Sequence, residues 1–132
     1  MRPLAIPLWL LACEESADTG RGRFYVESVD PEDGSLEAVA VSNVYLQLSA
    51  APDITRCTTE TLRVDAVRGD GTLAFPVPSE LSVEGEAFVK LHPLNPDLRG
   101  WTYVVSVQGG EEGCADEGGT PIEPFFSTFE VP

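Results

Sequence analysis

From Phe24 onward the chain alternates apolar and polar residues with a period of two, the mark of strands that bury one face. Val44, Leu46 and Leu48 alternate with Tyr45, Gln47 and Ser49, and Leu62, Val64 and Ala66 repeat the pattern around Arg63 and Asp65. Phe24-Tyr25-Val26-Glu27-Ser28-Val29 predicts a first strand, closed by the turn-forming run Asp30-Pro31-Glu32-Asp33-Gly34. Asp70-Gly71 predicts a hairpin turn into Thr72-Leu73-Ala74-Phe75. Pro76 and Pro78 cannot donate ladder hydrogen bonds, so this strand belongs at an edge or breaks there. Ala87-Phe88-Val89-Lys90-Leu91 is the next strand, ended by Pro93, and Tyr103-Val104-Val105-Ser106-Val107 follows. Phe125, Ser127, Phe129 and Val131 give one face of the last. No segment holds a 3.6-residue period over three turns. About seven short strands predict an all-β, two-sheet sandwich over residues 24–132.

The first residues break this pattern. Met1-Arg2 is a minimal basic start, Pro3 to Leu11 is an uncharged apolar run, and Ala12-Cys13 follows. So few apolar residues fall short of a bilayer's roughly 30 Å as a helix but suit a signal peptide. Leu10-Leu11-Ala12-Cys13 resembles the bacterial lipobox: an aliphatic residue, a tolerant position, a small residue and the cysteine that is acylated. The expectation is a signal peptide at 1–12, an acylated Cys13 on a polar tether at 13–23, and one domain after it. Two or three acyl chains, palmitate among them, hold a protein stably where one does not.

Charge narrows the partners. Twenty-two acidic residues against eight basic ones give a net charge of −14. Such a surface repels phosphate backbones, which excludes nucleic acid. The membrane through its lipid anchor, envelope proteins and glycans are the partners that fit a lipid-anchored protein of the cell envelope, placed at the outer membrane on its periplasmic or outward face.

Several phrases resemble the bacterial immunoglobulin-like domains of S-layer and other surface proteins, the SbsA-like group. Val29-Asp30-Pro31-Glu32-Asp33-Gly34 resembles the family's opening, and the stretch from Val39 through Ser49 resembles its first long strand, with Leu48 where a phenylalanine is usual. Leu91-His92-Pro93 and Leu98-Arg99-Gly100-Trp101-Thr102-Tyr103 resemble the approach to its sixth strand, and Phe126-Ser127-Thr128-Phe129 its closing strand. The resemblance implies an immunoglobulin-like β-sandwich used as spacer, display module or adhesive unit, without catalysis. Leu98 and Tyr103 stand where a tyrosine corner places them, which gives both a structural role.

Candidate chemistry is sparse. Cys57 and Cys114 remain once Cys13 is acylated, an even remainder in an oxidising compartment that favours a disulfide over free thiols or half a metal site. Glu111, Glu112, Asp116 and Glu117 form an acidic, glycine-rich loop whose hard oxygen ligands could hold Ca²⁺, or which could meet a carbohydrate; no other cofactor is implied. The spacing is not that of an EF-hand, and exposed carboxylates are usually just solvated. Arg68-Gly69-Asp70 spells an adhesion tripeptide but is explained by turn chemistry. His92 has no nucleophile or partner pattern beside it, and Trp101 is a sandwich cap before it is a sugar platform. The sequence therefore points to a non-enzymatic module.

Overall fold

The computed structural model describes residues 22–37, 43–68, 71, 74–94 and 99–132. Cys13, Gly69, Asp70 and Leu98 lie outside them. The described chain forms nine strands: β1 Val26–Asp30, β2 Ser35–Leu36, β3 Val44–Leu48, β4 Leu62–Arg68, β5 Ala74–Val77, β6 Ser79–Glu84, β7 Phe88–Pro93, β8 Trp101–Val107 and β9 Phe125–Val131.

They make two sheets, ordered β1-β3-β7-β6 and β2-β9-β8-β4-β5. In immunoglobulin lettering the first is A-B-E-D. The second is G-F-C, extended by β5 beyond C and by β2 beyond G. All pairings are antiparallel except β2 on β9, where Ser35 faces Phe129 and Leu36 faces Glu130 in parallel.

The period-two pattern explains the packing. Val44, Leu46 and Leu48 of β3 are buried while Tyr45 and Gln47 face outward, and Leu62, Val64 and Ala66 do the same in β4. Phe24, Val89, Leu91, Val105, Phe129 and Val131 close the core between the sheets. Tyr103 is 3% exposed, and its ring stacks on Phe129 at 5.1 Å.

Two strands exceed the seven expected. β2 is only two residues long, and it is held by the backbone of β9 with no pattern of its own. β6 follows directly on Pro78, where the chain leaves one sheet and joins the other. Pro76 sits in β5, an edge strand, so both outcomes foreseen for the prolines occur.

The strand directions give the sandwich two distinct ends. At one end lie the connections 49–61 and 108–124, together with the start of the described chain, where Glu123 N donates to Phe24 O over 2.8 Å. At the other end Trp101 faces Val131, where β9 ends.

Candidate functional site

The end formed by connections 49–61 and 108–124 contains the predicted cysteines, and they form the disulfide Cys57–Cys114. Around it the two loops are knitted through their backbones. Asp53 N donates to Ala115 O (2.8 Å) and Glu117 N to Ala51 O (3.1 Å). Arg56 adds a side-chain fork, giving hydrogen bonds to the carbonyl oxygens of Glu111 (2.7 Å), Gly113 (3.1 Å) and Gly110 (3.2 Å). Gly113, Cys114 and Ala115 are buried within the acidic run.

This arrangement gives no support to the Ca²⁺ expectation for Glu111, Glu112, Asp116 and Glu117. Asp116 Oδ1 already accepts the N–H of Thr120 at 2.8 Å. Glu111, Glu112 and Glu117 are exposed. Among the described residues no group of three or more His, Cys, Asp or Glu side chains converges on a metal position. The physical reason is local. Backbone bonds, Arg56 and the disulfide fold this loop, so its carboxylates point to water. A carboxylate count reads charge, not direction.

Two other carboxylates at this end are tuned. A hydrogen bond from the Thr55 hydroxyl (2.6 Å) and its amide (2.9 Å) holds Asp53 below the usual aspartate range. The Arg23 guanidinium bonds Glu123 at 2.8 and 3.0 Å and lowers its pKa, while Arg23 is raised in turn. Both pairs are exposed, so water screens them heavily.

The richest polar constellation lies elsewhere, on the outer face of the four-stranded sheet. Tyr45 and Phe88 stack there with ring centroids 5.3 Å apart and planes at 19°. Asn43 Nδ2 donates to the Tyr45 hydroxyl at 3.2 Å, and Asn43 Oδ1 lies 3.0 Å from His92 Nδ1. That contact requires the proton on Nδ1. Lys90 pairs with Glu84 at 3.1 Å, and this bond raises the lysine's pKa. Asn43, Glu80, Leu81, Ser82, Lys90 and His92 line an open cleft of ≈ 680 Å³. Fixed donors and acceptors beside half-buried aromatics suit recognition of a partner.

Of these residues only His92 stood out in the sequence. The network depends on the β3–β7 register, which sets Tyr45 opposite Lys90 and Gln47 opposite Phe88. Alternation tells which residues face outward but not which strand lies alongside.

The remaining candidates sit at the far end. Arg68 lies over the Trp101 ring at 5.3 Å, and Phe75 meets that ring edge-on at 5.2 Å. Trp101 thus caps the core, and Arg68 is engaged with it. Tyr103 is buried against Phe129, and Leu98, its companion in the expected tyrosine corner, lies outside the described residues.

No family model and no curated protein matches the chain. Solved structures do. The N-terminal part of the bacterial S-layer protein SbsC superposes with a TM-score of 0.60 at 17% identity, over 89% of this chain and 25% of that one. The chain therefore spans about a quarter of that relative's length. CopC from Methylosinus trichosporium OB3b gives a TM-score of 0.60 at 14% identity, over 83% of this chain and 93% of that chain. PcoC, a methionine-rich copper resistance protein from Escherichia coli, gives 0.59 at 15%, over 83% and 99%. At such identities the likeness is one of fold. The body of this chain has an S-layer-like, immunoglobulin-like β-sandwich fold.

Proposed function

We propose that the chain is a lipid-anchored module of the bacterial cell envelope whose sandwich serves structure, display or adhesion, without catalysis. The observation that carries this reading is the lipobox-like Leu10-Leu11-Ala12-Cys13 ahead of an S-layer-like sandwich. The eleven residues from Cys13 to the buried Phe24 extend at most about 40 Å. That reach holds the start of the described chain, at the disulfide-bonded end, within about 40 Å of the anchor.

The envelope setting accords with SbsC, an S-layer protein, and with an oxidising compartment for Cys57–Cys114. Copper handling of the kind named for PcoC does not suit this chain. It has one methionine, Met1, and one histidine, His92, and both later cysteines are bridged. One thioether and one imidazole fall short of the several such donors that a copper site draws on.

Intact-mass analysis of the membrane fraction tests the anchor. The expected product begins at an acylated Cys13, and Cys13→Ala leaves the chain unacylated with Met1 to Ala12 still attached. A wild-type chain that is water-soluble and keeps Met1 overturns the reading.

Saccharide capture is a second reading, supported by the Tyr45–Phe88 pair beside the Asn43–His92 bond. Glycan-array binding that survives Tyr45→Ala counts against it.

A further inference from the structure

A sheet edge presents unpaired N–H and C=O groups, and stable sandwiches keep foreign strands away by shortening, bulging, charging or interrupting their edges. Among the described residues the edges are β1 and β6 in one sheet and β2 and β5 in the other. β2 has two residues. β5 carries Pro76 in its interior. β1 is bent by a register shift between Val26 and Ser28. β6 differs from all three. It is six residues long, contains no proline, and pairs with β7 in unbroken register from Ser79–Pro93 to Glu84–Phe88.

The phase of the ladder decides which of its backbone groups face outward. Leu94 N donates to Pro78 O at 2.8 Å, which makes that pair a hydrogen-bonded one. Alternation then makes Glu80–His92, Ser82–Lys90 and Glu84–Phe88 the further bonded pairs. The N–H and C=O groups of Ser79, Leu81 and Val83 consequently point away from β7 to the open side. The side chains of Leu81 and Val83 reach the core but are only partly buried by it. Glu80, Ser82 and Glu84 stand exposed on the outer face.

We propose that the free edge of β6 receives an extended segment of a partner protein in which Lys or Arg alternates with apolar residues. The segment's main chain bonds to Ser79, Leu81 and Val83. Its apolar side chains finish covering Leu81 and Val83, and its basic side chains stand beside Glu80 and Glu84. The net charge of −14 draws such a segment in. A second copy of this chain is the poorer occupant. Two copies of β6 would each bring Glu80 and Glu84 to the shared outer face, and this strand carries no basic side chain to meet them. This inference rests on the reading of the domain as an interaction module and names its partner class; it does not depend on the anchor.

The test uses the detergent-solubilised mature chain and a synthetic peptide alternating lysine and valine. Two controls accompany it: a peptide with the same residues in blocks, and an alternating peptide N-methylated along one edge, which keeps every side chain but cannot donate. Binding is expected for the first peptide, with slowed amide exchange at Ser79, Leu81 and Val83. N-methylation, Leu81→Pro, or Glu80→Lys with Glu84→Lys should each weaken it by at least about tenfold. The methylated peptide leaves the protein untouched, so it decides the matter even if Leu81→Pro fails to fold. Equal binding of the blocked or methylated peptide means mere charge attraction and overturns the proposal. So does failure of the alternating peptide to bind, or self-association through β6 at neutral pH in sedimentation. None of these outcomes bears on acylation of Cys13, which the membrane-fraction experiment reads separately.

Discussion

Arg56 donates to the carbonyl oxygen of Glu111 over 2.7 Å, joining loops whose residues are 55 positions apart. Its planar fork satisfies carbonyls that would otherwise need water or a cation. Arg56→Ala is expected to cost about 1–2 kcal/mol, read as a fall of several degrees in Tm. Arg56→Lys should recover only part of this, since an ammonium cannot span the same acceptors. Full recovery by lysine would show that charge, not the fork, holds the loops.

The Cys57–Cys114 bridge closes a span of 57 residues. Chain-entropy reasoning gives a disulfide of that span about 4 kcal/mol. Urea unfolding of oxidised and reduced protein, or of the double serine variant, should differ by that order. Coincident curves would mean that the knitted loops hold the unfolded chain together without the bond.

Gly113 and Gly109 are packed too closely for any side chain. A Cβ on Gly113 would run into the backbone of Gln108 and Gly109, and one on Gly109 into the Ile122 carbonyl. Gly113→Ala should therefore cost about 1–3 kcal/mol through forced backbone movement. Gly118→Ala, whose Cβ meets only Asp116 Oδ1 at 3.5 Å, should be nearly silent. Thermal melts of the two variants side by side check the contrast.

Acid should loosen the same end of the molecule. Asp53 and Glu123 titrate below their ordinary values of 3.8 and 4.5, through the Thr55 hydroxyl and the Arg23 guanidinium respectively. A carboxylate with a depressed folded pKa stabilises at pH values above its unfolded pKa, and the contribution disappears as pH falls through the folded one. The stability difference between wild type and Glu123→Gln should thus be constant above about pH 5 and shrink below it. A difference that grows on acidification would reverse the assignment.

Calcium should leave the protein unchanged. With Asp116 bonded to Thr120 and its acidic neighbours turned to water, adding Ca²⁺ or a chelator should not move the melting temperature. A saturable rise with Ca²⁺ would restore the loop as a site.

Much of the fold was legible because half of each long strand meets the core. Val44, Leu46 and Leu48 had to be apolar, and Tyr45 and Gln47 did not. β6 was missed because Leu81 and Val83 are only partly covered, and two prolines just ahead of them suggested an end to strand structure. The disulfide followed from parity and compartment. The Asn43–His92 contact could not be foreseen, since it joins residues 49 positions apart through a register that no single strand encodes. The direction of the acidic loop's carboxylates was hidden for a related reason, because orientation comes from the backbone of its neighbours.

The parallel seam of β2 on β9 bears on mechanics. Gly34 N bonds Thr128 O at 2.6 Å and Glu37 N bonds Glu130 O at 2.8 Å, alongside the Ser35–Phe129 match. Tension applied between Phe24 and Val131 would drag these rungs lengthwise, loading them together instead of peeling them in turn. Single-molecule stretching should meet its greatest resistance at that seam, and Glu37→Pro, which removes the N–H that bonds Glu130 O, should lower the rupture force.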